Sequence, residues 1–130
     1  MPLKKCIFCQ MEEERKIITE AVGFVVLDQY PVNKGHCLII PNQHYPTYFD
    51  VPQKTQIHLW ELVNRAKQWV DEKYHPDGYN IGINAGKIAG QTIMHLHIHL
   101  ITRYQGDMED PRGGVRGVIP SKQKYSKMNE

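Results

Sequence analysis

The sequence predicts an α+β domain: a largely antiparallel five-stranded sheet with one long helix, a short N-terminal helix and an extended C-terminal arm. Three observations carry this. Short apolar runs bounded by glycine, proline or polar residues recur between residues 16 and 102. One stretch, VPQKTQIHLWELVNRAKQWVDEKY, has its apolar residues at helical spacing instead. Most connections are too short for the helical crossover that parallel neighbours need, which makes the pairing antiparallel. At 130 residues, with 41% hydrophobic and 23% charged residues, the chain can bury one core without disulfides.

The elements follow in order. A turn of helix is expected around Met11–Glu14. KIITEAVGFVVLDQ reads as two strands, Lys16–Thr19 and Phe24–Leu27, in a tight connection that uses Gly23. YPVNKG is a loop, and HCLIIP is a buried strand closed by Pro41. Asp50 is placed to cap the long helix, whose buried stripe should run through Ile57, Trp60, Val63, Ala66 and Val70. HPDG ends it. YNIGIN alternates like a strand, AGKIAGQ is a glycine-bearing loop, and IMHLHIHLIT is the last strand. Residues 1–104 thus form the domain proper, and 105–130, rich in glycine and proline, an extended arm of the same domain.

Net charge is +2, too small for bulk binding to nucleic acid or to a membrane surface. Residues 1–102 are balanced, so the excess sits in residues 103–130, with Arg103, Arg112, Arg116, Lys122, Lys124 and Lys127 against Asp107, Glu109, Asp110 and Glu130. Such a tail suits a small anionic ligand or a solvated terminus. No apolar run approaches the length of a membrane span, and MPLKKCIFCQMEEERK lacks a signal peptide's apolar middle, so a cytoplasmic location is expected. In a reducing compartment the pair Cys6 and Cys9, a C-x-x-C, suits a metal or redox feature better than a disulfide.

His95, His97 and His99 alternate with apolar residues. On a strand they share one face, with neighbours about 6.5–7 Å apart and the outer two about 13 Å apart. Metal–nitrogen bonds of about 2 Å let two neighbours share an ion, but not all three. One reading is a stripe of satisfied histidines on a half-exposed face. The other divides their labour, one imidazole attacking while another donates to a leaving oxygen.

With these segments in hand, the chain resembles the histidine triad (HIT) family of nucleotide hydrolases and transferases. His95-Leu96-His97-Ile98-His99-Leu100-Ile101 meets the family signature, supported by GQT at 90–92, IGINAG at 81–86, GHCLIIPNQH at 35–44, LDQYPV at 27–32 and CIFC at 6–9. The resemblance implies that His97 is the nucleophile toward an α-phosphate, forming a covalent nucleotidyl-histidine. It gives His99 the phosphate or leaving-group oxygen and a proton to supply, and His36 the task of orienting the site. Gln91 and Thr92 would bond phosphate oxygens, Asn84 would lie beside the phosphate, and Asp28 would accept a ribose hydroxyl. Ile7 and Phe8 would line an apolar pocket for a purine base; both could equally be core, and Asn84 a turn residue.

The C-x-x-C needs two more ligands, and Cys37, His36, His44, His58, His75 and His95 are available. One branch of the family, and the related galactose-1-phosphate uridylyltransferases, imply a structural zinc on Cys6, Cys9, His44 and His95, with no metal needed for the chemical step. Cys37, alternating with His36, should face the core. The arm lacks the phosphoramidase branch's Trp-Pro-Pro-Gly-like end and is similar to prokaryotic relatives of dinucleoside polyphosphate hydrolases. Arg112 and Arg116 then reach distal phosphates, or the arm stabilises the homodimer that the family implies. The expected activity is cleavage of a dinucleoside polyphosphate or a similar AMP conjugate. The alternatives are an adenosine phosphoramidate hydrolase, a zinc-stabilised nucleotide-binding module and a zinc metallohydrolase.

Overall fold

The computed structural model describes residues 3–125. Five strands, β1 (Lys16–Thr19), β2 (Gly23–Leu27), β3 (Cys37–Pro41), β4 (Gly78–Gly82) and β5 (Ile98–Arg103), form one sheet in the order β1-β2-β3-β5-β4. Every neighbouring pair is antiparallel. The 22-residue helix α1 (Gln53–Tyr74) connects β3 to β4. The α+β architecture is therefore the one expected.

Side-chain alternation divides the sheet into two apolar faces. Val25, Cys37, Ile39, Ile98 and Leu100 point to one side and meet Leu59, Leu62, Val63, Ala66 and Val70 of α1. Phe24, Val26, Leu38 and Ile40 point to the other, where Phe8 of the N-terminal segment covers them. Burying each such aliphatic side chain contributes about 1.5–3 kcal/mol. The inner strands β2 and β3 are consequently buried on both sides. Gly23 is required at the hairpin, because a Cβ there would lie 2.2 Å from the Ile40 carbonyl oxygen.

Several local expectations change. Asp50 does not cap α1. Its carboxylate accepts from the Thr47 N–H and hydroxyl, both at 2.9 Å, and closes the short 3₁₀ turn Tyr48–Asp50. Pro52 occupies the helix cap, and His75 ends the helix in the left-handed region at φ 52°. The buried stripe is Leu59-Leu62-Val63-Ala66-Val70, while Ile57 and Trp60 are exposed. Trp60 lies outside the stripe and donates its indole N–H to the Tyr48 hydroxyl at 3.3 Å. The N-terminal turn is a 3₁₀ turn at Glu13–Arg15.

The last strand begins at Ile98, not at Ile93. The end of β4 lies opposite His99 and the ladder with β3 stops at Ile98. Before that point the chain bonds elsewhere: the Leu96 N–H donates to the Tyr45 carbonyl at 2.7 Å. The arm is not a single extended run either. It coils into 3₁₀ turns at Gly114–Val118 and Pro120–Lys122, with Gly114 set against Asn80 of β4.

Ile39 is fully buried at the centre of β3. Truncation to Ile39→Ala should lower unfolding free energy by about 2–5 kcal/mol in denaturant titrations.

Candidate active site

The face opposite α1 carries the histidines. His99 lies on β5 opposite Leu38, and His36 immediately precedes β3, so the two imidazoles meet with His36 Nε2 and His99 Nδ1 3.0 Å apart. His97 neighbours His99 at 5.1 Å between ring centroids. His95 is fully buried and turned away, toward Cys6, Cys9 and His44.

Hydrogen bonds to backbone groups decide where each ring keeps its proton. A carbonyl oxygen can only accept, and a backbone N–H can only donate. His95 Nε2 lies 2.9 Å from the Pro41 carbonyl oxygen, so that nitrogen holds the proton and Nδ1 keeps its lone pair. His97 Nδ1 lies 2.9 Å from the His95 carbonyl oxygen and is the protonated nitrogen, which frees Nε2 as the nucleophilic one. His36 Nδ1 accepts from the Val32 N–H at 3.0 Å, so its proton is on Nε2. That proton is directed to His99 Nδ1, with Asp28 Oδ2 at 3.4 Å as a second acceptor. His99 therefore carries its proton on Nε2.

The same logic separates two clusters of possible metal ligands. Cys6 Sγ lies 3.3 Å from His95 Nδ1, Cys9 Sγ lies 3.3 Å from His44 Nδ1 and 3.5 Å from His95 Nδ1, and the two Nδ1 atoms are 3.1 Å apart. A tetrahedral ion with bonds of about 2.0–2.3 Å sets its ligand atoms about 3.3–3.8 Å apart. The cysteine–histidine separations lie in that range and the His44–His95 separation falls just below it, and the His95–Pro41 bond presents the unprotonated nitrogen, as metal-binding imidazoles do. Asp28, His36 and His99 also lie close together, yet His36 Nε2 is protonated while Nδ1 is taken by Val32. Binding an ion there would demand an imidazolate or the loss of the Val32 bond. Of the two clusters, only the first is built for a metal.

Burial sets the charge states. His99 is pushed down to about 4 by burial, assisted by His97 and His36 and opposed by Asp28. Burial also lowers His36 and His95 and raises the Cys9 thiol. Phe8 packs edge-on against both His95 and His97, at 5.8 and 5.0 Å between centroids.

The remaining residues named from the sequence divide. Gln91 is buried, its two amide hydrogens directed to the Pro46 carbonyl at 2.6 Å and the Ile93 carbonyl at 3.0 Å, while its oxygen accepts the Gly86 N–H at 2.8 Å. It closes the 86–91 loop and has no amide hydrogen left to offer a phosphate. Glycines 86 and 90, both at φ 100°, allow that loop to turn. Thr92 is exposed beyond it, and the Asn84 side chain adjoins Gly90. Asp28 Oδ1 accepts the Tyr30 N–H at 2.8 Å. Phe8 is core, and Ile7 is 59% exposed beside it. Cys37 faces α1, with its thiol pushed up to about 12 by burial.

Arg112 pairs with Asp110 at 2.9 Å, and Arg116 reaches the Gln123 carbonyl and covers the Tyr125 ring, so both bond within the arm. Two surface hollows, about 540 Å³ beside Lys67 and Tyr79 and about 530 Å³ beside His58 and Arg65, contain none of His95, His97 and His99. The Val32 N–H and the Pro41 and His95 carbonyls were beyond sequence reasoning, since no side chain marks a backbone group's direction.

Residues 10–106 match the model of the HIT domain. The chain belongs to the HIT family. An uncharacterised HIT-like protein of Methanocaldococcus jannaschii is 38% identical over 120 residues, covering 87% of this chain and 91% of that protein. The bis(5'-adenosyl)-triphosphatase of Dictyostelium discoideum is 35% identical over 71% of this chain, and the AP-4-A phosphorylase of Mycobacterium tuberculosis 31% identical over 74%. The HIT chain spans 62% and 50% of those two proteins. Among solved structures, a zinc-bound histidine triad family protein of Mycobacterium smegmatis aligns with a TM-score of 0.74 at 32% identity, covering 82% of this chain and 80% of that one. A HIT family protein of Bacillus anthracis aligns at 0.74 and 31%, covering 80% and 77%. Among the described residues no helix is long and apolar enough to cross a membrane.

The depressed His99 value has a definite sign. Between pH 6.5 and about 4 the unfolded chain takes up a proton at this residue that the folded chain refuses. Its stability contribution is present above pH 6.5 and is lost as pH falls toward 4. Urea titrations at pH 7.5 and 5 should show a smaller acid-induced loss of stability in His99→Asn than in the unmodified protein.

Proposed function

We propose that this HIT protein is a nucleotide hydrolase or transferase that cleaves a phosphoanhydride-linked nucleoside substrate, a dinucleoside polyphosphate or similar AMP conjugate, through His97. The observation that carries the reading is the single hydrogen bond of the His97 ring: Nδ1 is committed to the His95 carbonyl, which leaves the Nε2 lone pair beside His99. Nε2 attacks the α-phosphorus, a P–N bond forms, and the bond to the departing phosphate oxygen breaks with its electron pair. The resulting imidazolium is stabilised by its Nδ1–H bond to the carbonyl. Attack by water, or by another acceptor in a transferase, then breaks the P–N bond and restores His97.

His99 meets this reaction as a neutral ring whose Nε2–H donates a hydrogen bond to a phosphate or leaving oxygen. Its Nδ1 is filled by the His36 proton, so it has one proton and no second to give. A nucleotide leaving group departs as an anion and needs no proton, whereas an amine does. This favours a phosphoanhydride over a phosphoramidate substrate, the reverse of the proton-supplying role that the resemblance implies for His99. Thr92 serves the phosphate, while the Gly86, Ala89, Gly90 and Gln91 N–H groups are bonded within the 86–91 loop that Gln91 holds closed. Asp28 takes a ribose hydroxyl, and a purine base lies against the apolar N-terminal segment beside Ile7 and Phe8. The names of the Dictyostelium and mycobacterial relatives support the substrate class.

In the same reading Cys6, Cys9, His44 and His95 hold one structural zinc ion. Bound there, it would tie the N-terminal segment to the sheet. The donor set, the spacing and the zinc-bound mycobacterial neighbour support it. The protein is also proposed to act as a homodimer, as the family resemblance implies.

His97→Ala should lower hydrolysis of diadenosine polyphosphates by at least roughly a thousandfold. Rapid alkaline quench of the unmodified protein with substrate, which spares a P–N bond that acid would cleave, should trap a single nucleotidyl adduct on His97 by mass spectrometry. Full activity in the variant would overturn the mechanism. Elemental analysis of protein purified without chelator should find about one zinc per chain. Prolonged EDTA treatment should remove it and lower the melting temperature, and protein that is zinc-free and equally stable would refute the assignment.

A further inference from the structure

We propose that Asn33 and Asp107 clamp the 30–35 loop so that Val32 delivers its backbone N–H to His36, making Asp107 a positioning residue for the histidine pair. The inference rests on the reading of His97 and His99 given above only for its kinetic consequence.

The Asp107 carboxylate is the hub. Arg103 grips it with two bonds of 2.8 Å, from Nε to Oδ2 and from Nη2 to Oδ1, and the Tyr104 N–H reaches Oδ2 at 3.0 Å. Asn33 Nδ2 donates to the same Oδ2 at 2.9 Å and to the Thr102 carbonyl at 2.9 Å. The Asn33 carbonyl in turn accepts the His36 N–H at 3.1 Å. Next in the loop, the Lys34 carbonyl accepts both the Thr102 hydroxyl at 2.7 Å and the Tyr104 hydroxyl at 2.6 Å. The tip of the loop has little apolar packing, since Tyr30 is 85% and Val32 63% exposed. Its position near Val32 therefore depends largely on this polar clamp.

The clamp matters because one donor inside it fixes the direction of a hydrogen-bond chain. With the Val32 N–H on His36 Nδ1, the proton of His36 sits on Nε2 and points to His99 Nδ1. His99 then presents Nε2–H to the substrate. Release the loop, and His36 can hold its proton on Nδ1 instead, with only Asp28 Oδ2 at 3.4 Å still favouring Nε2. Its Nε2 becomes an acceptor, the bond reverses, and His99 carries Nδ1–H with a bare lone pair on Nε2. That lone pair faces phosphate oxygens and repels them. The cost falls on the transition state, where the oxygens carry most charge, so kcat should suffer more than KM.

The test reads the tautomers directly, by nitrogen-15 imidazole spectra at pH 7.5, and then the kinetics. In the unmodified protein His36 and His99 should both be protonated at Nε2. In Asn33→Ala and in Asp107→Asn, the Nδ1–H form should appear at both residues, kcat should fall about tenfold or more, and KM should change less than threefold. Asp107→Glu should restore much of both signals. Val32→Pro removes the donor while leaving the clamp side chains in place, and it should give the same tautomer change. It serves if the clamp variants fail to fold. Unchanged tautomers in folded variants, with or without a loss of melting temperature, would overturn the proposal. A tautomer change in a protein inactive on every nucleotide would uphold the clamp and reject the proposed reaction.

Discussion

A neutral imidazole has two nitrogens and one proton, and the chemistry of this site depends on which nitrogen keeps it. Three backbone groups make that choice at the start of each chain of bonds. The Pro41 carbonyl turns the lone pair of His95 toward two thiols, and the His95 carbonyl turns that of His97 outward. The Val32 N–H sets the direction of the His36–His99 bond. Peptide groups do not titrate, so the pattern persists across the pH range in which the rings stay neutral. Three residues of one type, alternating in sequence, thereby acquire three different chemical properties.

The sheet makes this arrangement rigid by treating its faces differently. One face is filled by α1 and needs no other duty. The opposite face has an apolar patch capped by Phe8, and the histidines line the margin of that patch. Phe8 touches His95 and His97 together, so the segment carrying Cys6 and Cys9 packs against His97 itself. Placing His97 and anchoring the segment around Phe8 are one packing problem.

Much of this was legible in the sequence where a side chain carries the signal. The period-two runs marked the strands, and the C-x-x-C with the histidines marked a divided site. Misreadings arose where a neighbour outbid a local preference. Asp50 is a good helix cap by type, but Thr47 lies nearer in the turn that precedes the helix. The helical stripe expected through Ile57 and Trp60 is rotated, and the sheet takes Leu59 and Leu62 in their place. The run of alternating histidines looked like one strand, yet strand pairing needs partners, and these end opposite Ile98 and His99. Gln91 has the side chain of a phosphate contact, yet its amide is consumed by the loop it closes, which no local pattern of residues marks.

Cys37 lends the molecule an unplanned convenience. It is sealed under α1 with its thiol held far from ionisation, whereas Cys6 and Cys9 are only partly covered. Thiolate-seeking reagents are therefore blind to one of the three sulfurs and depend on the other two being unligated. In the folded protein the count of reactive thiols would gauge occupancy of the proposed Cys6–Cys9–His44–His95 site, running from none to two as an ion leaves, with no background from the core.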